Sequence, residues 1–297
     1  MTTDTGRTTE TTGTTQGIPR PLVATGGAAS PLLAVAPRTH DRRRRARRLG
    51  TGFVGVLAVL AVWQVLALAL DDEVVLPTVQ ETARQFWQYM SDRYPGNGNT
   101  LWQDALISTA RILAGFAVGS LVGIAVGAVM SSNRVVRDLV DPLIELTRPL
   151  PPLAFIPLFI VWFGIGERSK FALILVGVVP TVIIATVSAL DAVPRELEMA
   201  SRALGASHAH TLVFVRMRAA LPGILTGMRL AMGGAWTSIV AVEMIAATSG
   251  VGFLIVQAGN YLQTPILLSG IVTISLLGIA LDGVLRLLGR FTDPSSR

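Results

Sequence analysis

The sequence predicts an all-α membrane protein of about six transmembrane helices, with its N-terminus in the cytoplasm. The chain of 297 residues is 51% hydrophobic and only 15% charged, whereas soluble domains carry about 25% charged residues. Long apolar runs recur along it, and about 20 such residues are enough to cross a bilayer as a helix. Arginine is concentrated at alternate ends of these runs, the pattern that orients membrane helices.

The first 48 residues are predicted to be a disordered cytoplasmic tail, and 49–297 one transmembrane domain. Residues 1–40 are rich in Thr, Gly, Ala and Pro without an apolar period, a composition typical of disorder. The run RRRRARR at 42–48 then anchors the first span and suits contact with anionic membrane lipid. A secretory signal peptide is the alternative, but its apolar core is usually about 7–15 residues long.

Six apolar segments are predicted to cross the membrane. They are residues 51–70, 107–130, 150–166, 171–190, 223–247 and 266–288. The third is short and contains Pro151, Pro152 and Pro157, and each proline removes a helical hydrogen bond. A chain of five spans therefore stays open as an alternative. Residues 76–90 are predicted to form an amphipathic helix on the outer surface.

Basic residues predict which loops are cytoplasmic. The segments assigned to the inside hold the run 42–48, Arg134, Arg137, Arg148, Arg195, Arg202, Arg216, Arg218, Arg290 and Arg297. The outer segments hold only Arg84, Arg93, Arg168 and Lys170. This asymmetry satisfies the positive-inside rule and puts the polar loop 195–222 in the cytoplasm.

The second span carries a glycine at every fourth position. These residues are Gly115, Gly119, Gly123 and Gly127. A stripe of glycines lets another membrane helix approach closely. The partner is a helix of the same chain or of a second protomer, and the sequence favours the same chain.

Ionisable residues fall inside three of the predicted spans. Arg111 and Glu243 lie at similar depth near the outer ends, and Arg229 and Asp282 lie at similar depth near the inner ends. Because an unpaired charge in a membrane is unfavourable, we predict the ion pairs Arg111–Glu243 and Arg229–Asp282. Contact between Arg229 and an anionic substrate is the alternative. The candidate residues of a translocation path are Thr181, Thr186, Arg229, Trp236, Thr237, Ser238 and Glu243.

Several kinds of site are missing from the sequence. There is no cysteine and only three histidines, so a metal centre is not expected. There is no GxxxxGK[ST] phosphate loop, and Lys170 is the only lysine, so the chain is not expected to be an enzyme that hydrolyses ATP. No cofactor is predicted for this chain. The net charge of +6 clusters at span ends, which argues against a nucleic-acid site.

The loop RELEMASRALGASHAHTLVFVRMRAALP at 195–222 predicts a helix at 196–204, a break at 205–207 and a second amphipathic stretch that closes at Pro222. It resembles the cytoplasmic coupling loop of ABC importer permeases, which contacts the ATPase subunit. The matching residues are Glu198, Ala200, Arg202, Leu204, Gly205, Ala206, Ser207 and Pro222. Two positions depart from that motif: its glutamate falls on Met199, one residue after Glu198, and its proline falls on Arg218.

The resemblance extends over most of 74–288 and is to the nitrate, sulfonate and taurine branch of these permeases. It rests on LPTV at 76–79, STARILAGF at 108–116, LTRPLPPLAFIPLFIVWFGIGERSK at 146–170, GMRLAMGGAWTSIVAVEM at 227–244 and TSGVGFLI at 248–255. The resemblance implies a type I importer permease fold in the bacterial inner membrane. It also implies a homodimer, two cytoplasmic ATPase subunits that hold ATP and Mg, and an external substrate-binding protein.

Two other functions stay open from the residues alone. A secondary transporter or channel would need no ATPase but usually shows inverted repeats and charges at the membrane midplane, which are not evident here. A membrane scaffold would dock partners without transport. Copurification with an ATPase subunit separates the importer from both, and ATP-dependent uptake separates transport from scaffolding.

Overall fold

The computed structural model describes residues 39–292, and all structural statements below concern these residues. The prediction of a disordered tail falls almost wholly outside them. Helix α1 begins at Thr39, so the segment 42–48 is helical rather than part of a disordered tail. The chain divides after Val54, and the packing described here is that of the unit that begins at Gly55.

The described part of the chain is built from helices alone. They are α1 Thr39–Leu70, α2 Val79–Ser91, α3 Leu101–Ser132, α4 Arg134–Thr147, α5 Ile156–Phe163, α6 Glu167–Asp191, α7 Arg195–Ala203, α8 His208–His210, α9 Met217–Ala246, α10 Val251–Asn260 and α11 Thr264–Thr292. A 3-10 turn at Pro152–Phe155 precedes α5. A π-helical stretch at Thr211–Arg216 joins α8 to α9.

Five helices among these residues are long and apolar enough to cross a membrane. They are Gly50–Leu70, Leu101–Ser132, Glu167–Asp191, His208–Ala246 and Thr264–Leu287. A sixth candidate is the pair Arg134–Thr147 and Pro152–Phe163, which is bent by 91°. The prediction of about six spans is confirmed, but the third is a broken pair and not one helix at 150–166. The prolines between α4 and α5 interrupt the hydrogen bonds, and α5 itself is only about 12 Å long at 1.5 Å per residue.

The direction of α6 shows that the broken pair returns the chain across the bundle. Gly115 packs at Ile174, and Gly127, further along α3, packs at Thr186, which is further along α6. Helices α3 and α6 therefore run parallel. Because two consecutive parallel helices need a return between them, residues 133–166 lead from one end of the bundle to the other.

The helical bundle places the connecting segments at two ends. Helix α9 runs antiparallel to α6, since Gly223 packs at Ala189 and Gly227 at Ala185. One end, here called the loop end, holds residues 131–137 and 191–216. The opposite end holds residues 92–104, 164–167 and 247–251 and is called the clasp end, after the group of charged residues described below. This grouping follows the alternation that the sequence predicted. The face of the membrane on which each end lies stays a prediction.

The core lies where α3, α6 and α9 meet. Its fully buried side chains include Ile112, Phe116, Leu173, Ile174, Val178, Ala235 and Ile239. The amphipathic helix predicted at 76–90 is α2. It begins after Thr78, whose hydroxyl accepts a hydrogen bond from the Glu81 amide at 3.2 Å, as an N-cap residue does.

The sequence predicted that the second helix of the loop closes at Pro222, and this prediction is wrong. Pro222 lies inside α9, within one continuous helix from His208 to Ala246. A proline removes a single backbone donor, and membrane helices tolerate that loss where neighbouring groups compensate. The apolar run that follows Pro222 therefore continues the helix of the loop without a break.

Candidate functional sites

The loop surface, residues 195–216, is organised by a glycine turn at Gly205. The Gly205 amide donates to the Arg202 carbonyl at 2.9 Å, and the Ala206 amide donates to the Ser201 carbonyl at 3.2 Å. These two bonds form a Schellman motif, which ends α7. Gly205 has φ +86°, a conformation that a residue with a side chain adopts at a cost. A Cβ atom there would meet nothing within 4 Å, so strain and not crowding favours glycine.

Apolar side chains are exposed on the loop surface. Leu204 is 89% exposed and Met199 is 62% exposed. Next to the turn lies an open concave region of about 630 Å³. Its lining residues are Ser201, Leu204, Gly205, Ala206, Ser207, His210 and Val215. An exposed apolar group beside a concave surface is typical of a site that binds another protein.

The loop surface is anchored to the ends of the spans. The buried hydroxyls of Ser201 and Thr211 lie 2.9 Å apart and join α7 to the π-helical stretch. Arg216 donates to the Ser131 hydroxyl at 2.9 Å and to the Leu190 carbonyl at 3.3 Å, which ties the stretch to α3 and α6. The loop surface is therefore bonded to α3 and α6 and continues directly into α9.

Of the eight residues predicted for coupling, seven lie together on the loop surface. Glu198 forms an ion pair with Arg202 at 2.7 Å, one helical turn away. Ala200 is exposed, and the Ser207 hydroxyl accepts a hydrogen bond from the His210 amide at 3.3 Å. Pro222 is the exception, because it lies in α9 beyond the end of the loop surface.

The glycine stripe of α3 faces a matching stripe of the same chain. A Cβ atom at Gly115, Gly119, Gly123 or Gly127 would come within 3.0 Å of a side-chain carbon of Ile174, Val178, Val182 or Thr186, respectively. Both stripes repeat every fourth residue, so the parallel helices α3 and α6 interlock along their length. Glycine is required here because any side chain would separate the two helices.

A group of charged and polar residues, here called the charge clasp, joins four segments at the clasp end. Arg111 of α3 forms ion pairs with Glu167 of α6 and Glu243 of α9, both at 2.7 Å. It also donates to the Ser249 carbonyl at 2.9 Å and the Ser249 hydroxyl at 3.1 Å. The predicted pair of Arg111 with Glu243 is thus confirmed, within a larger network.

Glu243 is the buried centre of the charge clasp. It is 1% exposed, and its carboxylate accepts from the Ser108 hydroxyl at 2.8 Å and from the Gly252 amide at 3.1 Å. Gly250 allows this approach, since a Cβ atom there would clash with the carboxylate. These donors offset part of the cost of burying the carboxylate. The clasp therefore has a structural role at this position.

The sequence did not reveal three members of the charge clasp. Ser108, Glu167 and Ser249 were not predicted, because a serine in a span and a glutamate at a span end are common in membrane proteins without a shared role. The TSGVG segment that follows α9 is the signal that could have found Ser249. Its two glycines flank Val251, whose amide donates to Ser108 at 3.0 Å.

Arg229 and Asp282 form the second predicted ion pair. Their nitrogen and oxygen atoms lie 3.0 Å apart, so this pairing is also confirmed. Asp282 further accepts from Arg286 at 2.6 Å. Unlike the buried Glu243, both members of this pair are partly open, with the Arg229 side chain 35% exposed and the Asp282 side chain 40% exposed.

The remaining candidate path residues divide by burial. Thr186, Ser238 and Glu243 are buried inside the single chain. Thr181, Thr237 and Ser238 each donate their hydroxyl to a backbone carbonyl four residues earlier, at 3.2, 3.1 and 2.8 Å. Thr181, Arg229, Trp236 and Thr237 are the candidates that retain exposed surface. Within residues 39–292, no group of three or more His, Asp or Glu side chains could hold a metal ion.

Comparison with known proteins shows related chains over most of this sequence. Residues 119–293 match the family described as the binding-protein-dependent transport system inner membrane component. The chain is 38% identical over 263 residues to the taurine transport system permease protein TauC of Escherichia coli strain K12. The alignment covers 86% of this chain and 95% of that protein.

Two further relatives and one solved structure agree with this match. The putative aliphatic sulfonates transport permease protein SsuC of Escherichia coli strain K12 is 32% identical and covers 79% of this chain and 87% of that protein. The nitrate import permease protein NrtB of Synechococcus elongatus is 29% identical, with 80% and 88% covered. A chain of the MetNI methionine ABC transporter in an inward-facing conformation superposes with a TM-score of 0.53 at 22% identity, covering 63% of this chain and 95% of that chain. At that identity the similarity concerns the fold.

Proposed function

We propose, because this chain belongs to the family of binding-protein-dependent transport system inner membrane components, that it is the permease subunit of an ATP-driven importer for a small anion. Taurine, alkanesulfonates and nitrate are the substrates named in its relatives. The observation that carries the proposal is the exposed loop surface with its turn at Gly205, since a chain without a phosphate loop has to receive the energy of ATP hydrolysis from a partner.

The loop surface is the proposed contact for that partner. Leu204 projects beside the concave region next to Gly205, an arrangement suited to an apolar docking contact. The anchors of Arg216 to α3 and α6 give a route by which movement of the ATPase reaches the spans. On this proposal the loop end lies in the cytoplasm and the clasp end lies outside, in agreement with the distribution of arginine.

The proposed assembly contains two copies of this chain, two ATPase subunits and an external binding protein. ATP and Mg belong to the ATPase subunits, and this chain is the non-catalytic subunit. A second copy would supply the other wall of a central path. The binding protein would deliver the anion at the clasp end and would account for most of the choice of substrate.

Reconstitution tests the proposal. The chain is coexpressed with the ATPase subunit and the binding protein of its proposed transporter, purified and placed in liposomes. Uptake of labelled taurine, ethanesulfonate and nitrate is then measured with ATP inside or outside the vesicles. Uptake of at least one anion is expected only when ATP is on the side of the ATPase and the binding protein is on the other. Uptake by the chain without an ATPase would instead identify a secondary transporter or channel. Copurification without any uptake would identify a scaffold.

A further inference from the structure

A cavity lies between α9 and α11, within the parts of both helices that are apolar enough to span a membrane. Its volume is about 230 Å³. Its lining residues are Arg229, Met232, Gly233, Trp236, Gly278, Leu281 and Asp282. The two glycines leave it open. A Cβ atom at Gly233 would meet nothing within 4 Å, and one at Gly278 would lie 3.3 Å from the Trp236 indole nitrogen.

The charges at this cavity do not balance. Asp282 pairs with Arg229 at 3.0 Å and with Arg286 at 2.6 Å, so two guanidinium groups share one carboxylate. These three residues carry a net charge of +1, and Arg286 lies one residue before the end of the span at Leu287, with its side chain 57% exposed. A bound monoanion would neutralise this net charge. In the charge clasp, by contrast, Arg111 faces two carboxylates.

Arg229 also keeps donors available toward the cavity. It donates to Asp282 through Nε and Nη2, and its Nη1 group makes no hydrogen bond within residues 50–287, the part of the chain whose side chains the structure describes. That group carries two N–H bonds in the planar geometry that suits oxyanions. Arg111 uses its Nε, Nη1 and Nη2 groups in hydrogen bonds, so the two membrane arginines differ in their capacity to bind a ligand.

The size of the cavity limits the ligand. A volume of 230 Å³ corresponds to roughly eight water molecules at about 30 Å³ each, which suits a short organic anion. The side chains of Met232, Leu281 and Trp236 offer an apolar wall for a short hydrocarbon portion.

We infer that this cavity is a binding site for a short alkanesulfonate or a similar small oxyanion on its way through the membrane. The oxyanion group accepts hydrogen bonds from Arg229 Nη1, and the hydrocarbon portion lies against Trp236. This inference rests on the proposed function and adds a site within the permease to the selection made by the binding protein. It also gives the partly open Arg229–Asp282 pair a role beyond joining α9 to α11.

Two matched glycine variants test the inference without altering the ion pair. Gly233→Leu fills the cavity, whereas Gly283→Leu adds the same side chain beside Asp282 at a position that is equally open and does not line the cavity. The experiment uses the complete transporter in liposomes. A leucine at position 233 would keep the anion away from Arg229 Nη1, so Gly233→Leu is expected to lower ATP-driven ethanesulfonate uptake roughly tenfold or more, the effect of losing one charged hydrogen bond. Gly283→Leu is expected to leave it within about twofold, the error of neutral surface changes.

A double variant of the ion pair provides the second measurement. Arg229→Gln combined with Asp282→Asn removes one positive and one negative charge together without filling the cavity. This double variant is expected to lose uptake roughly ten- to hundredfold while it still copurifies with the ATPase. Normal uptake by both the double variant and Gly233→Leu would overturn the inference.

Direct binding separates this inference from the proposed function and from occupancy by lipid. Ethanesulfonate is added to the purified chain in phosphatidylcholine nanodiscs, and the thermal unfolding temperature is recorded. A concentration-dependent rise is expected for the natural chain and for Gly283→Leu but not for Gly233→Leu. A rise that disappears when phosphatidylglycerol is included would assign the site to a lipid headgroup and overturn the inference. Absence of any ATP-driven uptake by the natural transporter would reject the proposed function itself, whatever the outcome of this binding measurement.

Discussion

The Arg111 guanidinium lies 2.7 Å from the Glu243 carboxylate, and both belong to a network that joins α3, α6, α9 and the segment after α9. Breaking such a buried pair leaves an uncompensated charge, which usually costs about 3–5 kcal/mol. The charge clasp therefore fixes how the helices meet at one end of the bundle, while the loop end carries the exposed surface.

We predict that Gly250→Ala destabilises the protein more than Gly98→Ala. Both glycines have positive φ, +110° and +71°, so each substitution carries backbone strain of about 1–2 kcal/mol. A Cβ atom at Gly250 also clashes with the Glu243 carboxylate, whereas one at Gly98 meets nothing within 4 Å. Thermal unfolding of the two variants in detergent measures the difference. Equal unfolding temperatures would show that the clasp tolerates displacement of Glu243.

We predict that Gly123→Ala separates α3 from α6. The new Cβ atom would lie 2.7 Å from the Val182 Cβ atom and 3.1 Å from the Val179 carbonyl oxygen, and overpacking of this kind costs about 1–3 kcal/mol. The exposed Ala125 on the same helix supplies the control Ala125→Leu, for which little change is expected.

An exchange across the interface tests the same contact in reverse. The double variant Gly123→Ala with Val182→Gly moves the small residue from α3 to α6, and it is expected to be less destabilised than the sum of its single changes. A sum that is strictly additive would mean that the two positions do not touch.

The sequence predicted the features that depend on local rules. Regular glycine spacing predicted the packing face of α3, and the need of buried charges for partners predicted both Arg111–Glu243 and Arg229–Asp282. The glycine at position 205 predicted a turn because glycine adopts backbone conformations that other residues rarely adopt. Each of these follows from residue type and spacing along one helix or between two spans at equal depth.

Features that depend on several segments at once were not predicted. The stripe on α6 consists of Ile174, Val178, Val182 and Thr186, which are ordinary residues of any membrane helix, so the sequence could not identify it as the partner of the glycines. The bend between α4 and α5 and the continuity of α9 through Pro222 depend on neighbouring helices that compensate the missing donors. The predicted number of spans was therefore right, but the predicted bounds next to prolines, at the third span and at Pro222, were wrong.

We predict that Gly205→Ala impairs coupling, whereas Gly98→Ala does not. The two substitutions introduce comparable strain at sites without crowding, so a difference in function reflects the place of the turn and not its strain. The loss expected is in ATP-driven uptake, with normal membrane insertion. Uptake by the Gly205 variant at the level of the Gly98 variant would separate the turn from coupling.

We predict that Leu204→Gln weakens copurification with the ATPase subunit. Leu204 is 89% exposed, so its replacement should leave the stability of the permease unchanged, while truncation of an anchor residue at an interface costs about 2 kcal/mol or more. The control is Leu262→Gln, since Leu262 is 68% exposed and follows α10, away from the loop surface. An unchanged yield of ATPase with Leu204→Gln would move the docking contact elsewhere.

Finally, we predict that α9 meets the α9 helix of a second copy. Gly234 and Thr237 are exposed small residues within the span, and exposed small residues are typical of contacts between membrane helices and not of contacts with lipid. The chain has no native cysteine, so Thr237→Cys gives a single reporter. Oxidative crosslinking in membranes is expected to yield a dimer with this variant. It should yield none with Val62→Cys, which lies on the exposed apolar surface of α1. If the Thr237 variant stays monomeric within an active transporter, the path does not lie between two α9 helices, and the cavity next to Arg229 has to be reached from another face.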